Sequence, residues 1–362
     1  MKNLSSIFYE LPKSELHIHL RGAMPVYIFS ELLAEHPIEE IRPLVSSRYF
    51  EIFERYPNIR PFLLPGDKKL EEVKKLFSYD TFDQFLATFL FTSIFIRNGK
   101  DFRRLVYSVL EELKKQNIVY AEITFSALEY MKNGVSLEEI KECLEGTADF
   151  PGLEVQWIVD LVRNNGVDIA LDLLKQILAV KCKNIIGITL GGSEHIFPPG
   201  PFEKVYSLAR DNGLQLTIHA GESLGPQSVW DALHILKATR IGHGVQSIHD
   251  PSLLQYLADH KIALEICPTS NFCTAVIPQG TEHPVKKIFE AGVTVTLNTD
   301  DPTFFDTTLV QEYMYASSLG MTEKNLFQIL QNGFQYSFLS QEKKRKYLQN
   351  LTQKWQELYD TN

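Results

Sequence analysis

Eight short runs rich in β-branched and apolar residues punctuate this chain, and that rhythm restricts its fold more than any other feature. The runs cover residues 15–20, 118–125, 154–162, 184–190, 214–219, 239–243, 261–267 and 292–299. Stretches with helical spacing lie between most of them. Residues 101–115 place apolar side chains at i, i+3, i+4 and i+7, and 167–180, 202–210, 228–237, 251–258 and 284–291 are similar. Strands alternating with helices pair in parallel through crossovers. Eight is the number that closes a barrel, so the expected class is α/β, a TIM-type (β/α)8 barrel. A doubly wound open sheet is the competing architecture.

The spacing is uneven. An insertion of about residues 21–117 separates the first two runs, with helical pieces at 27–34 and 79–96 and a proline-rich connector around 57–65. An insertion at that end of a barrel strand lies on the catalytic face, where it serves as a cap or as plain helical decoration. Beyond residue 302 the pattern is helical, most clearly at 322–333 and 341–358. With no linker in view, residues 1–362 read as a single hydrolase-type barrel domain carrying a helical cap and C-terminal helices.

Composition narrows the partners. Hydrophobic residues make up 44% and charged residues 22%, enough to bury a core, which excludes disordered and fibrous classes. The net charge of −9 excludes a surface that is basic overall, so neither nucleic acid nor anionic membrane is expected as a partner. The N-terminus lacks an apolar signal-type region, and no apolar run reaches the ~18 residues of a membrane span. Cys143, Cys182, Cys267 and Cys273 show no CxxC spacing and read as reduced thiols. A cytoplasmic location is the expectation.

The chemistry gathers at the ends of the runs. His17 and His19 stand two apart in a strand, so alternation places both on one face. His219 ends the fifth run and leads into Glu222, His243 ends the sixth between two glycines, and Asp300–Asp301 follow the eighth. On a barrel these ends meet at one mouth. Three imidazoles with a carboxylate suit zinc or another first-row metal that keeps one position for water. Such a metal brings the pKa of water toward neutrality, and a neighbouring carboxylate and imidazole can move protons. The residues themselves therefore name metal-assisted hydrolysis but no substrate.

The segment LPKSELHIHLRGA resembles the opening motif of the adenosine deaminase family, and LGGSE, HAGE, RIGHG, CPTSN and NTDDP follow in the family's order, from about residue 11 to about residue 303. The resemblance implies one zinc ion per chain on His17, His19, His219 and Asp300. It implies that Glu222 gives a proton to purine N1, that His243 orients and deprotonates the attacking water, and that Asp300 helps hold that water. Asp301 would hydrogen-bond N7, and the backbone N–H of Gly192 would reach N3. The products would be ammonia and a 6-oxopurine, and the partner a small purine nucleoside or derivative. The HxE…PCxxC signature of another deaminase fold is missing.

Two departures bear on substrate. Adenosine-specific members carry an acid that contacts the ribose 5′-hydroxyl, where this chain has Arg21. A guanidinium donates hydrogen bonds and binds phosphate or carboxylate bidentately. An anionic 5′ substituent is thus expected, as in AMP, N6-methyl-AMP or aminodeoxyfutalosine, whose 5′ side ends in a benzoate. The alternative is an Arg21 turned to solvent or paired with a local glutamate. LGGSE also replaces the commoner LAGDE, which puts the hydrogen bonding around Ser193 in question.

Other residues have plainer expectations. Arg163 is expected to pair with a carboxylate, ahead of a role in binding an anion. Phe82, Phe85 and Phe89 form a stripe expected to pack as core, with a lid as the alternative. His36, His195, His234, His249, His260 and His283 have no assigned role. Two rival activities remain: a free-base adenine deaminase of the same family, and, remotely, a serine hydrolase with Ser223 of GESLG as nucleophile. The second leaves His17, His19 and the Asp300–Asp301 pair unexplained.

Overall fold

The computed structural model describes residues 3–79 and 81–360. Among these residues eight parallel strands run in sequence order around a barrel: β1 (Lys13–His19), β2 (Ile118–Phe125), β3 (Glu154–Asp160), β4 (Ile185–Thr189), β5 (Gln215–Ala220), β6 (Arg240–His243), β7 (Ala263–Ile266) and β8 (Thr294–Leu297). The first and last strands meet through a bridge between Ile18 and Asp300. There Asp300 N–H donates to His17 O (3.0 Å), and His19 N–H donates to Asp300 O (2.8 Å). The expected barrel is the observed one, and the open sheet is set aside. No described helix is long and apolar enough to cross a membrane.

Strand composition explains the layers. Crossover helices cover the outside while side chains fill the inside, so both faces of a strand are buried and apolar residues run nearly unbroken. In β1, Leu16 and Ile18 are buried with the apolar core, while Lys13, Glu15 and His17 are buried polar residues on the other face. Arg240 of β6 bonds through Nε to Glu265 of β7 and through Nη2 to Glu122 of β2. Its Nη1 donates to Tyr336 O (2.9 Å), and its guanidinium lies 4.0 Å from the ring centre of Phe338. The C-terminal helices thereby close the barrel on the side away from the histidines.

The insertion between β1 and β2 holds helices Val26–Glu35, Ile38–Ile41, Ser47–Phe53, Leu70–Leu76 and Phe82–Ser93, then the crossover helix Gly99–Lys115. Phe29, Phe53, Phe91 and Phe95 pack edge to face within it and join the barrel's apolar cluster. The helix expected over 79–96 is shorter, because Thr81 caps it by accepting from Gln84 N–H; residue 80 lies outside the described residues. The run expected over 154–162 stops at Asp160, since Val162 takes φ 48° and a 3₁₀ turn follows at Arg163–Asn165. Helices Ala127–Lys132 and Leu137–Glu145, not expected from the pattern, lie between β2 and β3. A Ser136/Glu139 capping box opens the second.

Candidate active site

The C-terminal ends of β1, β5, β6 and β8 bring the expected residues to one point. His17 Nδ1 is 2.7 Å from Glu265 Oε2, which turns Nε2 toward the centre. That Nε2 is buried and, among the described residues, has no hydrogen-bond partner. It lies 3.6 Å from Asp300 Oδ1. His19 Nε2 is 3.2 Å from the same oxygen and 3.2 Å from His219 Nε2. Ligand atoms of His17, His219, His243 and Asp300 all fall within 4.8 Å of one another. His243 Nε2 stands 3.7 Å from Glu222 Oε1 and 3.8 Å from Asp300 Oδ2.

Such a cluster asks for a cation. Three buried imidazoles, His17, His219 and His243, with a half-buried His19 beside them and neighbouring ring centres 4.5 to 5.6 Å apart, cannot all be charged, and an orphaned ring nitrogen costs free energy. A nitrogen-rich set with one carboxylate fits a divalent first-row metal such as zinc. His243 and Asp300 adopt φ 59° and 63°, a left-handed conformation uncommon for non-glycine residues, which turns the chain as it leaves the barrel at the site.

Burial sets the protonation states. It pushes the His243 imidazole down to about 3, leaving it neutral, and takes His219 well below its ordinary value. His17 goes the other way, to about 10, because its Nδ1 bond to Glu265 and the negative charges of Asp300 and Glu265 beside it outweigh burial. Glu222 is pushed up to about 8 by burial, then by the negative charges of Asp300 and Glu194. Asp301 is likewise raised by burial and by Asp300 beside it. Glu222 therefore carries a proton at neutral pH, and Asp301 is biased toward carrying one, the state in which either can donate to a ring nitrogen.

Several partners escaped the sequence reading. Ser270 donates to Asp300 Oδ2 at 2.6 Å, and Asn271 links His243 Nδ1 (3.2 Å) to His283 Nε2 (3.1 Å). Both belong to CPTSN, a segment matched as a motif without a role for its residues. Glu15 accepts from Thr299 N–H (3.2 Å), steadying the approach to Asp300. Glu15, Glu122 and Glu265 carried the one available signal, a carboxylate inside an otherwise apolar strand.

The substrate side is less uniform. Asp301 Oδ1 is buried without a described partner, and a Cβ on Gly22 would overlap that side chain, so only glycine lets the two approach. Gly192 adopts φ 95°, and a side chain there would overlap Asn164 Oδ1. Ser193 is well served: its N–H donates to Asn164 Oδ1 (2.8 Å), and its Oγ accepts from Asn164 Nδ2 (3.1 Å). Arg21 is 8% exposed, bonds through Nη1 to Glu129, and lies 3.6 Å from the ring centre of Phe89. Its Nε is buried with no described partner.

Two expectations resolve differently, and the remote serine-hydrolase alternative loses its support. Among the described residues Arg163 pairs with no carboxylate; it donates to the carbonyls of Leu190 (2.7 Å), Gly191 (3.3 Å), Phe197 (3.0 Å) and His219 (2.6 Å). The strand ends at Asp160, so Arg163 folds back under the turn after β4. The aromatic stripe splits: Phe85 is buried with Phe304 and Phe305 just after Asp301, whereas Phe82 is 40% exposed. Ser223 directs its Oγ to Glu194 Oε2 (3.4 Å) rather than to an imidazole, which removes the base a serine nucleophile needs.

Comparison with known proteins shows the family and the fold. The profile described as adenosine deaminase matches residues 12–354. An aminodeoxyfutalosine deaminase of Streptomyces avermitilis is 34% identical over 93% of this chain and 89% of its own length. An adenine deaminase of Hahella chejuensis is 31% identical over 95% and 96%. The crystal structure of an adenine deaminase from Arthrobacter aurescens superposes with a TM-score of 0.80 at 24% identity, covering 95% of this chain and 98% of that one. The chain belongs to the adenosine deaminase family, aminohydrolases that break the C–N bond of a cyclic amidine.

Proposed function

We propose that this protein hydrolyses the 6-amino group of an adenine nucleoside bearing an anionic 5′ substituent, using one zinc ion per chain. The observation that carries the reaction is the placement of the Glu222 carboxyl and the His243 imidazole, 3.7 Å apart, beside the buried histidine–aspartate cluster, with burial biasing Glu222 toward its protonated form and His243 toward its neutral one. His17, His19, His219 and Asp300 would hold the metal. Bound there, zinc supplies the Lewis acidity that makes water nucleophilic near neutral pH. Glu222 donates its proton to purine N1, which draws electrons from C6. His243, its ring held by Asn271, orients the attacking water and takes its proton. Asp300 steadies that water, Asp301 donates to N7, and the Gly192 N–H reaches N3. His243 passes the proton it took to the departing amine, the proton of the added hydroxyl returns to Glu222, and ammonia leaves with the 6-oxopurine remaining.

Arg21 supports the anionic group, because its buried Nε and its stacking on Phe89 leave a preorganised donor at the mouth. One observation favours a second reading, deamination of free adenine. The Glu129 carboxylate already pairs with Arg21, which leaves less of its charge for a 5′ anion. Both substrate types occur among relatives, as aminodeoxyfutalosine and adenine deaminases.

A panel of adenine, adenosine, 2′-deoxyadenosine, AMP, N6-methyl-AMP and aminodeoxyfutalosine separates the two. The anionic reading predicts the highest kcat/KM for one of the last three. It also predicts that Arg21→Asp lowers that value by about 10- to 100-fold, as expected for losing a charge-assisted hydrogen bond. An unchanged preference in Arg21→Asp overturns the role of Arg21. Adenine as the best substrate establishes the second reading.

A further inference from the structure

The segment that carries Glu222 is held by a carboxylate that takes no part in the chemistry described above. Glu194, in the turn after β4, is 1% exposed. Its Oε1 accepts from Gly221 N–H (2.7 Å) and from the Ser228 hydroxyl. Its Oε2 accepts from the N–H groups of Glu222 (3.2 Å), Ser223 (2.9 Å) and Leu224 (3.0 Å), and from Ser223 Oγ (3.4 Å). Consecutive amides thus wrap one charged side chain, a concave backbone arrangement suited to an anion. Gly221 makes the wrap feasible, since at φ 65° a side chain there would overlap Val229. The helix Pro226–His234 has no capping side chain of its own at Gly225, and Glu194 stands at its N-terminus in that place.

Arg163 does the complementary work on the other side of the same two turns, gripping carbonyls that include His219 O at 2.6 Å. Arg163 thus fixes where β5 ends, and Glu194 fixes how the chain leaves it. Between those two grips lies Glu222, whose own N–H is one of the bonded amides. A carboxylate with this many amide donors defines a backbone path more tightly than one neutral acceptor could, because charged acceptors make the stronger bonds.

We infer that Glu194 is a positioning residue for the reaction: it sets the 221–224 backbone so that the Glu222 carboxyl faces the substrate ring. This rests on the proton-donor role proposed for Glu222. Proton transfer in a transition state is sensitive to sub-ångström placement, so a loosened segment costs turnover before it costs binding. In Glu194→Gln the amide nitrogen meets backbone N–H groups and cannot accept from them, so half of the wrap is lost.

A double-mutant cycle on the zinc-loaded enzyme tests this, with bound metal and thermal midpoint measured on each variant. Glu194→Gln is expected to lower kcat about 10²-fold while KM stays within about 3-fold and one metal per chain is retained. In a Glu222→Gln background the same change is expected to cost less than about 3-fold, because the group it positions is gone. An equal loss in both backgrounds overturns the inference and leaves Glu194 a purely structural residue. So does a loss confined to KM or to bound metal. If Glu194→Gln does not fold, Ser228→Ala, which removes one bond to Oε1, runs through the same cycle with a smaller loss expected in the first background only. Full activity of Glu222→Gln itself instead rejects the donor role of Glu222, a result the cycle reports separately.

Discussion

Glu222→Gln is expected to lower kcat by about 10³-fold, the middle of the range for removing a positioned general acid, with bound metal unchanged. The side chain is isosteric, so packing around the site persists; what disappears is a transferable proton. Burial and the charges of Asp300 and Glu194 push Glu222 up to about 8 in the wild type, so it is protonated at neutral pH. The sign follows: the Glu222 proton contributes fully below about pH 8, so the alkaline limb of activity falls above that pH in proportion to the protonated fraction. A pH profile of kcat/KM checks this directly. A wild-type profile flat to about pH 10 contradicts proton donation by Glu222.

Arg240→Met is expected to destabilise the fold by about 3–5 kcal/mol, because it strands Glu122 and Glu265 in the barrel interior without their partner. Glu122 is fully buried and Glu265 is 1% exposed, so water cannot readily take the place of the guanidinium. Burial alone would push Glu265 up, but Arg240 and His17 outweigh it and hold the carboxyl at about 2. A carboxyl depressed on folding adds stability above its unfolded pKa and loses it as pH falls toward the folded one. Wild-type stability should therefore decline between about pH 4.5 and pH 2, and that decline should be smaller in Arg240→Met, where only His17 still lowers the Glu265 carboxyl. Denaturant unfolding of both proteins across that range measures it. The variant should also weaken metal retention, since Glu265 fixes the ring orientation of His17. Equal stability of the two proteins at pH 7 contradicts the assigned role of Arg240.

Much of the site could be read before the fold was known. Residues at strand ends need no tertiary information beyond the barrel itself: His17, His19, His219, His243 and Asp300 each lie within three residues of the end of a strand. β2 was read with its observed bounds because β-branched residues and alternation agree over all of 118–125. What could not be read lies across long sequence distances. Glu129 meets Arg21 from 108 positions away, and neither local pattern announces the pairing. Arg163 looked like a charge seeking a carboxylate. Backbone carbonyls are invisible in a sequence, so its actual partners had no signature. Glu194 was hidden for the same reason, since it bonds to amides that every residue carries. Short helices such as Pro268–Cys273 escaped because one turn has too few residues to show a period.

Hydrolytic deamination is tested most directly by turnover in H2¹⁸O. Zinc-loaded protein, carrying one metal per chain, is incubated with the purine panel, and ammonia and the 6-oxopurine are quantified together. Equal amounts of ammonia and product are expected from at least one substrate, with one solvent-derived oxygen at C6, and with the reaction abolished by a chelator and restored by zinc. No ammonia from any member of the panel, by protein that demonstrably holds its metal, contradicts the proposed function.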